Sequence, residues 1–350
     1  MGGCRKRLLF GVVLVVVTGC AASRGATAEV DRVQLKARAM ECLKAAVAYP
    51  HNPAVRVQAV EALETCGSDE ALPWLRTALL DEHPAVRFAA CVAVGRLKDA
   101  SPEMTLRGLV KDSDDSVCLA ALFALHRLGR TGQSGRLPVF LLNHPDAAVR
   151  RNAAFVLGLL EEPGVAKTLA KGMRDPDKGV RDHVLEAMAR LGVAEAKQEL
   201  SFMANAGVGA DETFAVQALA AAGDADYADT FRYKLSTAPH LETRLAAAEG
   251  LGRLGFDDGY GLAADAWRTR KPVRTDPADP PAGQVLRVRQ MAAVALGAIG
   301  RDRALPDLRR VMDEEDDPRV QVSAAWAILQ ILQADRRSGL AFLRPQRRGK

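Results

Sequence analysis

Residues 288–300 read VRQMAAVALGAIG, one of nine copies of a thirteen-residue pattern, Val-Arg-x-x-Ala-Ala-x-Ala-Leu-Gly-x-Leu-Gly, along the chain. The copies start at Val55, Val86, Val117, Val149, Val180, Asp211, Thr243, Val288 and Val320. Successive starts are 31 or 32 residues apart, except for a step of 45 between the seventh and eighth copies. A period this regular predicts a chain of stacked structural repeats.

Each copy of the pattern predicts one amphipathic helix. Its apolar residues stand at pattern positions 1, 5, 8, 9 and 12, which lie on one side of a helix of 3.6 residues per turn. In the second copy these are Val86, Ala90, Ala93, Val94 and Leu97. The small alanines allow neighbouring helices to approach closely.

Signals for the helix limits flank the copies. Pro53, Pro84 and Pro318 suit the first helical position, and Asp115, Asp146 and Asp177 suit N-caps. Glycine at pattern position 13, where helices commonly end with positive φ, occurs at Gly67, Gly129, Gly192, Gly223, Gly255 and Gly300.

Between the copies lie shorter apolar segments of up to about three helical turns, such as residues 71–80 and 305–312. The repeat is therefore helix, turn, helix, and the predicted fold is all-α, an α-solenoid (superhelix) of about nine two-helix repeats. Such units resemble HEAT-like repeats, in particular the class of about 31 residues also found in phycobilin lyases. The resemblance covers nearly all of residues 31–334, which we take as the solenoid domain.

The resemblance implies a binding surface more often than catalysis. Its kinship with phycobilin lyases suggests an alternative function, a tetrapyrrole (bilin) lyase or chaperone. Bilin attachment would be expected in the cytoplasm, so the export signal described next weighs against that alternative.

The amino terminus predicts export and lipidation. A basic segment, residues 5–7, precedes the apolar stretch Leu8 to Val17, so residues 1–19 are interpreted as a lipoprotein signal peptide. Residues 17–20, Val-Thr-Gly-Cys, resemble a bacterial lipobox, in which Cys20 is lipidated and residues 20–30 form a tether. The alternatives are an ordinary secretion signal and a single anchoring helix. We expect a lipid-anchored protein of the bacterial cell envelope.

Ala21, rather than aspartate, after the lipidated cysteine favours the outer membrane, facing the periplasm, over the inner membrane. Without the three basic residues of the signal peptide, 45 basic residues face 43 acidic ones. This balance argues against a nucleic-acid partner, which would select a basic stripe. The basic tail, residues 335–350, is either a solvated end or a contact for anionic lipid headgroups.

Neither a metal site nor a catalytic site is expected. His51, His83, His144 and His240 each precede the second helix of a different repeat, about 10 Å from the next repeat, whereas zinc ligands lie within about 4 Å of one another. The sequence contains no HExxH, GxSxG, Walker or dinucleotide-binding motif. We therefore predict a non-catalytic protein without cofactors.

Recurrent charges predict a ladder between repeats. Arginine recurs at pattern position 2, and Asp81, Asp112 and Asp175 each stand five residues before a copy. If exposed, such pairs stabilise by about 0 to 1 kcal/mol each, so we expect them to set repeat geometry more than stability.

Pattern positions 3 and 7 of the second helices should face the concave wall. In the second to fourth repeats they predict an apolar cluster with a cationic rim, which would bind a protein or peptide partner. The candidate residues are Phe88, Val92, Leu119, Phe123, Arg127, Arg151 and Phe155. Alternatively, superhelical curvature buries these rings between helices. Arg96 belongs to the same rim, and Asp182, Glu186 and Glu249 form an acidic stretch farther along.

The long step between repeats contains an inserted segment, residues 268–283, rich in proline. We predict an inserted loop there and a secondary candidate for recognition.

Overall fold

The computed structural model describes the backbone of residues 17–162, 164–206, 209–272 and 279–342, and within these ranges the side chains of residues 31–334. This part of the chain folds into eighteen α-helices and three short 3-10 turns, without a strand. The predicted all-α solenoid of two-helix repeats is confirmed.

Two helices form each repeat. The first helices are α1 (Val17–Val47), α3 (Leu72–Ala78), α5 (Glu103–Leu109), α7 (Arg136–Asn143), α9 (Val165–Gly172), α11 (Ala194–Ala206), α13 (Ala228–Thr237), α15 (Tyr260–Arg268) and α17 (Leu305–Glu314). The second helices are α2 (Pro53–Cys66), α4 (Pro84–Leu97), α6 (Asp115–Arg127), α8 (Ala147–Gly158), α10 (Lys178–Arg190), α12 (Ala210–Ala222), α14 (Leu241–Arg253), α16 (Pro281–Ile299) and α18 (Pro318–Phe342). The 3-10 turns, Thr131–Gln133, Ala225–Tyr227 and Asp302–Ala304, precede α7, α13 and α17.

The second helices, which carry the thirteen-residue pattern, form the inner layer. Each packs against the next, from α2 to α18, least extensively at α6–α8 and α10–α12, whereas neighbouring first helices touch little. Helices lie closest together on the inner side of a curved stack, so the even-numbered helices line the concave wall. Buried alanines such as Ala90, Ala120 and Ala154 permit these close contacts.

The stack closes into a ring. The last helix, α18, packs against both α1 and α2, and one continuous apolar core contains Leu35 and Leu43 together with Leu329 and Ile331. A second core cluster lies across the ring, in α10 to α14. Because nine repeats complete a circle, each repeat is rotated by roughly 40° relative to the one before it. The sequence pattern did not predict this rotation.

Ion pairs on the outside of the ring also join its two ends. Arg38 Nε lies 2.6 Å from Asp313 Oδ1, and Arg309 Nη1 lies 3.3 Å from Asp31 Oδ1. Arg32 pairs with Asp302 in the same region.

The predicted helix limits are confirmed with one correction. The side chains of Asn52, Asp146 and Asp177 cap α2, α8 and α10, but Asp114 rather than Asp115 caps α6, since its carboxylate accepts from two backbone N–H groups. The six predicted terminal glycines have positive φ. Lys98 and Glu161 adopt the same left-handed conformation at position 13 of their copies.

The charge ladder is present, and it is more buried than expected. Arg56, Arg87 and Arg150 pair with the aspartate 25 residues later, at shortest distances of 2.7 to 2.8 Å. Both members of each pair are at most 14% exposed. These pairs should therefore stabilise the fold more than exposed pairs do, because a guanidinium removed here would leave a buried carboxylate without its partner.

Other repeats vary the ladder. Arg289 pairs with Glu315 at 2.7 Å, while Arg181 and Arg244 donate to backbone carbonyl groups. In the sixth repeat the charges are reversed, since Glu212 accepts from Lys234 at 3.0 Å in a buried pair.

Several predicted segments lie only partly within the described residues. Residues 1–16 of the signal peptide, 273–278 of the insertion and 343–350 of the basic tail lie outside the described residues. Residues 17–30 form the beginning of α1, residues 281–283 the first turn of α16, and residues 335–342 the end of α18. Within the described residues, no helix is both long enough and apolar enough to span a membrane.

Candidate functional site

A cavity of about 530 Å³ lies on the inner wall and extends across α2, α4, α6, α8 and α10. We call it the inner recess. Its apolar lining includes Val57, Phe88, Val92 and Phe155, and Ser116 and Asn152 add polar groups. A volume of this size accommodates a few side chains of a bound segment.

Three of the predicted partner-binding residues line the inner recess. Phe88 and Phe155 are half-buried, so each ring keeps a surface that a ligand could cover. Val92 also lines it, although only 6% of this residue is exposed. The two phenylalanines are thus the main apolar contact surface.

Leu119 and Phe123 are not exposed, so the prediction that they lie on the surface of the concave wall is wrong. Both are fully buried, and α6 packs closely against α4. The alternative, burial between helices, holds for the Phe123 ring. A Cβ atom added at Gly95 of α4 would lie 3.0 Å from the Phe123 ring. Phe123 therefore fills the space that the absent side chain at residue 95 leaves.

The predicted cationic rim is only partly assembled. Arg96 lines the inner recess, and its Nε lies 3.1 Å from Glu64 Oε1. Arg127 and Arg151 lie outside the lining. Arg127 is half-buried, with its Nε shielded from solvent, and Arg151 lies 3.9 Å from Asp177.

The first repeat also lines the inner recess, although none of its residues was among the predicted partner-binding residues. Val57 and Glu61 occupy pattern positions 3 and 7 of α2, and Glu64 lies one turn farther along. The pattern already placed the first two on the concave wall. Their association with the phenylalanines of α4 and α8 became visible only when the curvature was known.

The carboxylates of the first repeat lie in an unusual electrostatic environment. Burial raises the pKa of Glu61 above its ordinary value, and the neighbouring Glu64 raises it further. Burial likewise raises the pKa of Glu64, although Arg96 acts in the opposite direction. The inner recess thus disfavours the negative charges of Glu61 and Glu64.

The acidic stretch expected farther along the wall is neutralised locally. Lys178 pairs with Asp182, Arg190 with Glu186 and Arg253 with Glu249, each at 2.6 to 2.8 Å within one helix. A separate cavity of about 530 Å³, between α12, α14 and α16, is lined by residues that include Phe214, Gln217 and Met291. Its Arg287 is held by Glu242 and Asp279.

The described histidines occupy turns and local contacts. His83 Nδ1 accepts from the backbone N–H of Ala85, and His144 Nε2 lies 3.1 Å from Asp115. No group of three or more histidine, cysteine, aspartate or glutamate residues in the described part of the chain could hold a metal ion. The four cysteines with described side chains are free thiols.

Comparison with known families agrees with the repeat architecture. The family model for HEAT repeats matches residues 41–126 and 138–211, and the model for the PBS lyase HEAT-like repeat matches residues 288–314. The chain therefore contains HEAT-like repeats on both sides of the inserted segment.

Individual relatives are distant. Epoxyqueuosine reductase from Staphylococcus aureus is 29% identical over 92 residues, which are 26% of this chain and 20% of that protein. The match thus spans about one fifth of that relative's length.

Solved structures with similar folds include human deoxyhypusine hydroxylase and the CpcE–CpcF complex of phycocyanin lyase from Nostoc sp. PCC7120. The first is 18% identical with a TM-score of 0.37, covering 88% of this chain and 99% of that chain. The second is 20% identical with a TM-score of 0.35, covering 74% and 94%. Similarity at this level carries no argument about activity.

Proposed function

We propose that this protein is a non-catalytic scaffold that binds a segment of a protein or peptide partner on the inner wall of its ring. The inner recess carries this proposal, because it places the half-buried rings of Phe88 and Phe155 beside Val57 in one cavity. Buried aromatic contacts in a concave site typically supply most of the affinity for a peptide.

The test measures peptide binding by the full chain. Capped peptides rich in leucine and phenylalanine should bind the wild type, and Phe88→Ala should weaken binding about thirtyfold, the effect of losing a strong aromatic contact. The matched control is Met104→Ala on the outer helix α5, where the side chain is 80% exposed, and it should bind as the wild type does. Equal binding by both variants would contradict the proposal.

We further propose that lipid at Cys20 attaches this scaffold to a bacterial envelope membrane, with the outer membrane preferred. The support is the sequence at residues 17–20 together with the basic and apolar segments before it. Each buried methylene of a lipid chain stabilises attachment by about 0.8 kcal/mol, so two or three chains hold a protein permanently.

Metabolic labelling with a fatty-acid analogue tests the anchor. The wild type should take up the label and sediment with membranes, and Cys20→Ala should do neither. An unlabelled wild type would contradict lipidation while leaving the binding proposal intact.

The tetrapyrrole lyase alternative rests on repeat kinship, through the match of residues 288–314 to the PBS lyase HEAT-like repeat. It predicts that the protein takes up a bilin, which absorption spectra of protein mixed with a free bilin would detect. Unchanged spectra would leave the non-catalytic scaffold as the better proposal.

A further inference from the structure

Glu61 is the one charged side chain lining the inner recess that makes no hydrogen bond or ion pair among the described residues. The other ionisable side chains that line the recess all have partners. Glu64 pairs with Arg96 and Arg190 pairs with Glu186, while Asp114 caps α6 and His83 caps α4. The Glu61 side chain is exposed to solvent at the mouth of this cavity, so a cation that binds beside it gains a charge-assisted contact with the carboxylate.

The helix pattern explains why Glu61 lacks a partner. Glu186 and Glu249 stand at the same pattern position in α10 and α14, and each pairs with the arginine four residues later, at 2.6 and 2.7 Å. In α2 the residue four positions after Glu61 is Thr65. A threonine cannot supply the positive charge that the other two glutamates receive.

The Thr65 hydroxyl is also engaged in a contact that closes the ring. Its hydroxyl oxygen accepts a hydrogen bond of 2.8 Å from the indole N–H of Trp326 in α18. Arg96, which lines the same cavity from α4, is held by Glu64. The Glu61 carboxylate therefore faces the cavity with its charge uncompensated by the wall.

The apolar lining defines what else a ligand must offer. Val57, Phe88 and Phe155 border the same cavity as the Glu61 carboxylate. A basic side chain fits both features, because lysine and arginine carry their charge at the end of an apolar stem. Phenylalanine faces also attract such cations.

We propose that the inner recess binds a peptide segment in which a basic side chain is flanked by apolar residues. The ammonium or guanidinium group pairs with the Glu61 carboxylate, and the apolar neighbours pack on Phe88 and Phe155. This inference rests on the proposed function and specifies the chemistry of its partner.

The probes are capped heptapeptides with leucine, phenylalanine or valine on either side of a central residue, which is lysine, norleucine or glutamate. Binding to the full chain is measured by calorimetry. The lysine peptides should bind the wild type up to about fivefold more tightly than the norleucine peptides, as expected for an ion pair with a solvent-exposed carboxylate. The glutamate peptides should bind least.

The decisive variant is Glu61→Gln, which should reduce the preference for lysine over norleucine to within about twofold. Glu249→Gln is the matched control, since it changes the same pattern position in a helix where the glutamate is already paired. It should keep the wild-type preference. Circular dichroism verifies that both variants are folded.

Failure of the inference about a basic partner can be distinguished from failure of the peptide-binding function. If the wild type binds lysine and norleucine peptides equally, or if Glu61→Gln keeps the preference, the inference about a basic partner is overturned and the peptide-binding function stands. If no peptide binds the wild type, both proposals fail.

Discussion

The indole nitrogen of Trp326 donates a hydrogen bond of 2.8 Å to the hydroxyl oxygen of Thr65, which joins the last inner helix to the first. Gln333 supports this junction by donating to the Cys66 carbonyl oxygen at 3.0 Å, and Gln58 donates to the Ser323 hydroxyl at 3.1 Å. In a straight stack of nine repeats spaced about 10 Å apart, these ends would be roughly 80 Å apart. Closure of the ring is thus held by specific hydrogen bonds between the first and the last inner helix.

Because the ring is closed, a lysine introduced at residue 38 should be crosslinked chemically to Asp313. Arg38 Nε lies 2.6 Å from Asp313 in the closed ring, so Arg38→Lys should place an amine beside this carboxylate. Carbodiimide should then join the two residues within one molecule, and mass spectrometry of the digest should find the linked peptides. The wild type, with arginine at this position, is the control. Absence of the link in Arg38→Lys would indicate an open solenoid.

The buried ladder predicts a large loss of stability on truncation. Arg87 holds Asp112 through two hydrogen bonds of 2.9 and 2.7 Å, and Arg87→Ala leaves the carboxylate buried without this partner. We expect the free energy of unfolding to fall by about 3 kcal/mol, measured by denaturant titration. Arg253→Ala removes an arginine that is 47% exposed and should cost less than about 1 kcal/mol. Equal losses would contradict a structural role for burial of the ladder.

The ladder also predicts a dependence on pH. Hydrogen bonds from Arg150 hold the pKa of Asp175 below its ordinary value of 3.8, although burial opposes them. This pair therefore stabilises the fold above the unfolded-state pKa, and the contribution is lost as the pH falls through the lower folded-state pKa. Melting curves between pH 7 and about pH 3 should show a smaller acid-induced decrease for Asp175→Asn than for the wild type.

Glu61 provides a control of opposite sign for this pH experiment. Its pKa is raised by burial and by Glu64, so its contribution to stability is present below the unfolded-state pKa and is lost as the pH rises through the folded-state pKa. Because the Glu61 side chain is also exposed to solvent, Glu61→Gln should raise the melting temperature at neutral pH only slightly and change it little in acid. The same pH dependence in both variants would contradict these assignments.

Two glycines predict opposite effects of the same substitution. A Cβ atom at Gly95 would lie 2.8 Å from Ala124 Cα in the neighbouring helix, so Gly95→Ala should destabilise by about 1 to 3 kcal/mol. Gly108 in α5 has open space around it, and Gly108→Ala should stabilise by about 0.5 to 1 kcal/mol through helix propensity. Thermal melting measures both variants. A neutral Gly95→Ala would argue against the close approach of α4 and α6.

Two phenylalanines at the same pattern position should behave differently. Phe123 is fully buried, so Phe123→Ala should reduce stability by about 3 to 5 kcal/mol. Phe155 is half-buried beside the inner recess, so Phe155→Ala should cost less stability and should weaken peptide binding, which calorimetry measures on folded protein. If both variants lose similar stability and neither loses binding, the inner recess is not the binding surface.

The period, the helix limits and the ladder could be predicted from the sequence, because each depends on neighbours a few residues apart or on an identical neighbouring repeat. The apolar positions of one helix, the proline or aspartate before it and the glycine after it act locally. The pairing of Arg56 with Asp81 likewise repeats in the next two ladder pairs, so one geometry explains several.

The binding wall could be predicted only in part. Phe88, Phe123 and Phe155 stand at equivalent or related pattern positions, yet Phe123 is buried and the other two border the inner recess. The difference depends on how closely α4 approaches α6, which the spacing of apolar residues within one helix does not determine.

By itself, the sequence determined that this protein is a stack of nine amphipathic two-helix units, because the repeat period and the local helix signals are sufficient for that conclusion. Only the tertiary structure decided that the stack closes, that Trp326 reaches Thr65, and that Glu61 remains unpaired in a cavity. The physical reason is that closure depends on the total of the small rotations between all nine repeats. The sequence of a single repeat does not determine this total.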